Sequence, residues 1–432
     1  MSRPLPRAAT GTGLLLLLAS SAAAEGQDGI FRFSGRPSLR LGKVLEVDFR
    51  VKTHNDFRGF SPHIDTGPGL HDPIRFRLGV EGRLFGDLEY AVEYELMDRV
   101  TPWRDLHLSY QRFGRFRSRV GKFRLPFSLE QLQSGMSLDF IYRSRLGALL
   151  APARDTGIEF SGTFFGEGLD YQLGLFRHDG MNAAVRFRPI DPATGQPAAE
   201  QIEQRTGGRT FAARLTGKPL RLAAILKPLQ AFELGGGFTD SPLSEGLTSL
   251  RGRTIAGTTF FSSVYVSGSR RRLGAELRWA PGRFSLQGEW ARVYEQRKRQ
   301  SIQGADLPDL VSRAWYLGGT WLLTGGSNAT RHRPAKAFLS GGGTGNLELA
   351  LRYEQLRVGS DAHAGPPSRD PRAANLLGNR DRIWTAGMNW YLNHWTKIQF
   401  NGIREKLQDV ERSPVPGRVV LWTWIARLQV VL

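Results

Sequence analysis

Alternation of apolar and polar side chains with period two, sustained over segments of about ten residues, constrains this chain more than any other feature. From Val44 onward it recurs between clusters of Gly, Pro, Asp and Asn. In the run from Ile74 to Glu81 the apolar set Ile74, Phe76, Leu78 and Val80 alternates with Arg75, Arg77 and Glu81. The same division separates Leu88, Tyr90, Val92, Tyr94 and Leu96 from Glu89, Glu93 and Glu95. It returns in Leu273, Ala275, Leu277 and Trp279 against Glu276 and Arg278, and in Leu347, Leu349, Leu351 and Tyr353 against Glu348, Arg352 and Glu354. One face is greasy and the other is charged.

A soluble β-sandwich also alternates, so a second property must decide what the greasy face meets. Strands of ~10 residues are what a tilted bilayer crossing needs, whereas sandwich strands run nearer ~5 or 6. Aromatics at segment ends, at Trp315-Tyr316, Trp321, Trp384, Trp390-Tyr391, Trp422 and Trp424, fit girdles at two membrane interfaces. The expected fold is therefore all-β, a transmembrane antiparallel β-barrel with long extracellular loops and short periplasmic turns. Seventeen candidate strands begin near 44, 74, 87, 104, 115, 155, 169, 209, 229, 254, 271, 283, 313, 346, 382, 395 and 418. Bacterial single-chain barrels carry an even number, which gives sixteen, with eighteen as the alternative. Large loops are expected at 54–73, 126–154, 188–208, 296–312, 325–345 and 358–381, and tight turns at Gly86-Asp87 and Pro281-Gly282. The last strand has Val420, Trp422, Trp424, Ala426, Leu428, Val430 and Leu432 on one face, and it can close the barrel so that no edge is left unpaired in lipid.

The start of the chain supports export. Arg3 and Arg7 precede an apolar run from Leu14 to Leu18, then Ala22-Ala23-Ala24 and Glu25, which reads as a secretory signal over 1–24 ahead of a barrel domain over 25–432. No later segment offers the ~20 apolar residues of a spanning helix. Cysteine is absent, so disulfides hold nothing together. The bacterial outer membrane is the expected location, with outer-membrane lipid and lipopolysaccharide as surroundings.

The net charge is +19, and +17 once Arg3 and Arg7 leave with the signal. Fifty of the 59 basic residues are arginine, whose planar forks suit carboxylate and phosphate oxygens. A nucleic-acid binder would gather such charge in a patch or tail, whereas here it is spread along alternating strands of an exported chain, so nucleic acid is not expected as a partner. By parity Arg75, Arg77, Arg117, Arg119, Arg214, Arg278, Arg352 and Arg427 lie opposite the apolar face and are candidates for a lumen ladder. Pairing with lumen acids such as Glu81, Glu276 and Glu348 is their alternative role. The segment from Lys122 to Arg154, long and following a strand, directs attention to Lys122, Arg124, Arg143, Arg145 and Arg154 as pore-constriction candidates, with Arg154-Asp155 also readable as a structural pair. No catalytic, cofactor or metal site is expected: His107 alternates as a lumen residue without a serine motif, and His63, Asp65, His71 and Asp72 lie in an expected loop without ligand spacing. Gly341-Gly342-Gly343 precedes a strand and reads as a loop.

The run Arg119-Val120-Gly121-Lys122-Phe123-Arg124-Leu125-Pro126-Phe127-Ser128-Leu129-Glu130 resembles the phosphate-selective porin O/P family. So do Ala148 to Ile158, with Ala153 where glycine is usual, and the blocks Phe284–Trp290, Trp321–Gly325, Leu347–Tyr353 and Gly387–Asn393. They follow the family order across nearly the whole mature chain. The resemblance implies a sixteen-stranded barrel, usually a homotrimer, with loops folded inward and arginines feeding a lysine-containing constriction. The chain departs from it at Gly326, where glutamate is frequent, and at Leu432, where an aromatic residue is common. The expected function is passive diffusion of small anions such as phosphate. A general porin without phosphate preference and a barrel hydrolase are the alternatives.

Overall fold

The computed structural model describes residues 30–432 apart from 34, 65–70, 99–100, 167, 182–183, 188, 190, 192, 197, 200, 205–207, 222–226, 251, 262, 302, 339–341, 361–375 and 377. The signal over 1–24 and Asp65 lie outside the described residues. Sixteen antiparallel strands close on themselves. They are β1 Leu45–Ser61, β2 His71–Leu84, β3 Leu88–Glu95, β4 Trp103–Phe113, β5 Phe116–Arg124, β6 Arg154–Phe164, β7 Leu169–Phe176 and β8 Thr210–Gly217, followed by β9 Glu233–Leu247, β10 Tyr265–Trp279, β11 Phe284–Arg297, β12 Leu307–Leu322, β13 Asn346–Gly359, β14 Asn379–Tyr391, β15 Thr396–Leu407 and β16 Val420–Val431. Each pairs with its sequence neighbour, and β16 pairs with β1 from Trp422 opposite Ser61 to Val431 opposite Lys52. No helix among the described residues is long and apolar enough to cross a membrane.

Two-residue alternation accounts for the wall. Phe76, Leu78, Leu173, Leu215, Leu273, Leu317, Leu351 and Trp384 are exposed on its outer face, while their sequence neighbours point to the lumen. An isolated sheet with so much exposed apolar surface would aggregate, but hydrocarbon is its proper solvent.

The structure corrects several sequence expectations. The candidate strand near 254 is not in the barrel: Gly252–Arg253 and Thr259–Phe261 form a small hairpin folded into the lumen. Its apolar residues read as a strand because Ile255, Phe260 and Phe261 are buried there. The loop expected over 54–73 is mostly strand, because β1 runs to Ser61 and β2 starts at His71, so His71 and Asp72 belong to the wall. The segment 323–345 is long yet sits at the end of the barrel where most connections are short turns, an end it shares with the long connection 218–232. The tight turn at Gly86 is as expected, and its φ of +80° is one that glycine adopts without strain.

One half of the lumen is solid. The loop after β5, residues 125–153, folds inward and meets strands on the far wall. Beside it a core of Phe127, Leu146, Leu150, Leu250, Phe260, Phe261, Val293, Leu356 and Val358 fills the long-loop end of the barrel. Ile141 and Ile255 pack there with the inward residues Ile383, Ile403 and Ile425.

Candidate functional site: the lumen and its inward loop

A chain segment inside a barrel has no strand partner for its backbone, so side chains of the wall must satisfy it. Glu289 of β11 accepts from the N–H groups of Leu129 and Glu130 at 2.9 and 2.8 Å, and Asn401 of β15 accepts from that of Ile141 at 2.8 Å. Glu354 of β13 accepts from the N–H of Arg145 at 2.5 Å. From the donor side, Lys397 reaches the carbonyl of Leu138 at 2.8 Å, Gln429 that of Met136 at 3.0 Å, and Arg272 that of Leu150 at 2.7 Å. Glycines on the lumen row make room for the loop's aromatics. A Cβ on Gly237 or Gly274 would lie 2.9 Å from the Phe127 ring, and Gly318 and Gly387 lie beneath Phe140. Burial raises the Glu130 carboxyl above the usual range, although Arg352 at 3.0 Å and the Ser144 hydroxyl at 2.6 Å favour its charge.

The remaining space follows β1 to β8. A cavity of about 610 Å³ is lined by residues including Arg50, Lys52, Arg77, Glu93, Asp105 and Arg154. A second, of about 420 Å³, contains Arg117, Arg214, Arg278 and Glu233. Glu89, Arg119, Glu159 and Gln172 line both, so one leads into the other.

All eight ladder candidates stand on the lumen row, but most have their charge answered. Arg77 donates to Glu95 at 2.6 Å and Glu93 at 2.9 Å, and Arg214 donates to Glu276 at 2.5 Å. Arg352 joins Glu130 and Glu354, each at 3.0 Å. Arg427 grips Asp56 at 2.7 and 2.9 Å and also donates to the Ile141 carbonyl. Arg119 is 3.9 Å from Glu159, and Arg75 is 3.6 Å from Glu95. Arg117 and Arg278 are exposed in the second cavity.

The constriction candidates divide. Lys122 is a correction: β5 extends to Arg124, so Lys122 still obeys strand parity and shares the outward row of Val120, opposite Leu106. Arg145 is buried against the wall and donates to the carbonyl of Arg253, so it anchors two lumen segments to each other. Arg154 pairs not with Asp155 but with Asp105, at 2.9 and 3.0 Å. Asp155 instead accepts from the N–H groups of Thr156 and Gly180. Arg124 and Arg143 come together, for the carbonyl oxygen of Gln133 accepts from both, at 2.5 and 2.6 Å. Burial draws the Arg143 pKa below its ordinary value, with Glu130 opposing and Arg154 adding to the shift, yet arginine remains charged.

A sequence model of phosphate-selective porins O and P matches residues 46–429. The chain belongs to this porin family. A Caulobacter vibrioides protein described as uncharacterized is 25% identical over 349 residues, covering 76% of this chain; the porin spans 61% of that relative's length. Among solved structures, the trimer form of the Vibrio cholerae outer membrane protein OmpT has a TM-score of 0.54 at 10% identity, covering 89% of this chain and 99% of that one. The outer membrane channel DcaP of Acinetobacter baumannii gives 0.54 at 9% identity, with 90% and 97% covered. Both share the fold, and the porin is an outer-membrane barrel.

Sequence reasoning missed several residues that shape this lumen. Arg36, on the hairpin Phe31–Phe33 and Pro37–Leu41 beside β1, reaches Asp48 at 2.6 Å and Glu81 at 2.7 Å. Lys52 is tied to Glu93, and Arg50 to Glu81. Arg331, from the segment 323–345, contacts Asp139 at 2.6 Å and Glu348 at 2.7 Å, pinning the loop tip from the turn side. Among the described residues no group of His, Asp or Glu is arranged to hold a metal. The His107 ring stands edge-on to Phe123, 5.9 Å away.

Proposed function

We propose that this porin passes small anions, phosphate among them, by diffusion along the β1–β8 side of its lumen, with Arg124 and Arg143 as the selecting groups. The observation that carries this reading is the shared Gln133 carbonyl: two guanidinium groups converge there on a neutral acceptor, so their positive charge is not cancelled by a carboxylate at that atom. In a narrow passage with low-dielectric walls such charge favours anion entry. Arg124 lines the larger cavity directly. Weak, repeated contacts suit conduction better than one tight site, and Arg117, Arg119 and Arg278 supply further contacts along the second cavity.

The pairing of Arg77, Arg214, Arg352 and Arg427 with carboxylates supports a general anion-preferring pore over a tight phosphate binder, because a guanidinium fork filled by carboxylate is not open to phosphate. Lys52 is likewise held by Glu93. A hydrolase is disfavoured by the packing of His107 against Phe123, and assaying purified protein on a lipid ester separates the two classes. A homotrimer is the proposed assembly.

The test is reversal potential in a salt gradient across a planar bilayer, with chloride current measured as phosphate is added. Anion selectivity that falls partly in Arg124→Gln and further in the double variant with Arg143→Gln is expected. Cation selectivity of the unmodified channel overturns the proposal, and chloride current unaffected by phosphate removes phosphate from it.

A further inference from the structure

Outside the lumen, strand register brings a line of basic side chains together on the lipid-facing surface. Arg292 of β11 stands directly opposite Arg313 of β12, Arg313 opposite Arg357 of β13, and Arg357 opposite Arg380 of β14. Arg382, one outward position further along β14, faces Lys406 of β15. Every one of these positions shares the outward row of its strand with an exposed aromatic or apolar residue: Trp290, Trp315, Leu351, Trp384 and Phe400. The line is therefore not part of the pore.

Like charges directly opposite on neighbouring strands, with Cβ atoms ~5 Å apart, repel one another. Four in succession concentrate positive charge at one level of the outer surface. Its level explains what would stabilise it. One outward step towards the membrane centre from Arg292 and Arg313 lies Trp290 opposite Trp315, and two outward steps from Arg357 and Arg380 lies Tyr353 opposite Trp384, forming the aromatic girdle on the long-loop side. The arginines sit just outside that girdle, at the depth of extracellular-leaflet headgroups. Two carboxylates of the same outer surface, among the described residues, stand off the line. Asp309 lies four residues beyond Arg313 towards the loops, and Asp240 lies on β9 beside Arg271 at 3.3 Å.

The line ends in a depression of about 230 Å³ whose lining includes Arg380, Arg382 and Lys406, with Leu407, Gln408 and Val419. Three cations around a small concavity suit a group with several anionic oxygens. The Nε of Arg380 has no hydrogen-bond acceptor among the described residues. Beside it the guanidinium of Arg404 lies 6.0 Å from the Trp422 ring, the mixed aromatic and cationic character of a membrane interface.

We infer that the outer face of β11–β15 is a binding surface for a phosphorylated glycolipid headgroup of the outer leaflet, of the lipid A class. Its phosphates are held along Arg292, Arg313, Arg357 and Arg380 and in the Arg380–Arg382–Lys406 depression, while its acyl chains lie over the aromatic and leucine rows below.

The experiment compares the detergent-solubilised full-length channel with the variant Arg313→Gln/Arg357→Gln/Arg382→Gln, using thermal unfolding with added lipid A, dephosphorylated lipid A and inorganic pyrophosphate. Arg271→Gln, off the line, serves as the control substitution. Single-channel conductance checks that each variant is folded and that the pore is untouched. The expected result is a saturable rise in unfolding temperature with lipid A alone, and at least a tenfold weaker response in the triple variant at unchanged conductance. Equal responses from the triple variant and the parent overturn the inference. So does an equal response to dephosphorylated lipid, which would make the contact purely apolar, or to pyrophosphate, which would make it a free-anion site. Dissociation of an oligomer in the triple variant, with lipid response retained, would reassign the line to contacts between copies.

Discussion

Arg427 of the last strand and Asp56 of the first are direct cross-strand partners, joined through Nε and Nη2 at 2.7 and 2.9 Å across the seam that closes the barrel. Both are buried on the lumen side. Removing one member leaves an uncompensated charge, so Asp56→Ala should cost about 3–5 kcal/mol, whereas replacing both residues with neutral side chains should cost less. Heat-induced loss of the compact barrel on unboiled gels, followed against temperature, ranks the three proteins. A double variant as unstable as the single would count against the seam assignment.

Phe127 rests on two glycines, and this contact can be tested from the wall side. Gly237→Val or Gly274→Val places atoms where the ring now lies, which should destabilise by roughly 1–3 kcal/mol through overpacking. Phe127→Ala, by leaving a cavity, should cost roughly 3–5 kcal/mol. All three should loosen the inward loop and raise single-channel conductance. Conductance equal to the parent would mean that the loop is held without this contact.

Arg331 links the turn-side segment to the loop tip. Arg331→Ala strips a cation from Asp139 and Glu348 together, so open-channel current should become noisier as the tip moves. Arg331→Lys keeps the charge but loses the fork, and should restore steadiness only in part.

Acid should release the segment that follows β7. Burial by itself would raise the carboxyl of Asp179, but Arg270 at 2.7 Å and Arg272 at 2.8 Å hold it well below the usual carboxylate range. A depressed folded-state pKa contributes stability that is complete above the unfolded value, ~3.9, and is lost as pH falls below it. Unfolding temperature should therefore drop below about pH 4 in the parent. In Asp179→Asn this component of the drop should be absent, and an unchanged acid profile in that variant would refute the assignment.

Period two made the wall legible because a strand's two faces meet different solvents, and the parity of Arg77, Arg214 and Arg352 followed directly from it. It could not say what those arginines touch. Glu289 binds a loop 159 and 160 residues earlier, and no local pattern records that. The filled half of the lumen did leave traces, in Leu356, Val358, Ile383, Ile403 and Ile425 on rows that should be polar and in Gly237, Gly274, Gly318 and Gly387 where the wall makes room. Lys122 was misplaced because it was grouped with the segment that follows the strand, whereas β5 runs to Arg124 and keeps Lys122 on the outward row.

Most strands that hold the inward loop, β11, β13, β14, β15 and β16, come later in the chain, while His54 of β1 and Arg124 of β5 contact it from the earlier side. Its backbone can complete these contacts only when the final strands have arrived, so the full seating of the loop and the sealing of the cylinder belong to a single late event in biogenesis. Variants that weaken the loop's contacts should then accumulate as unsealed precursors during insertion, quite apart from what they do to the finished pore.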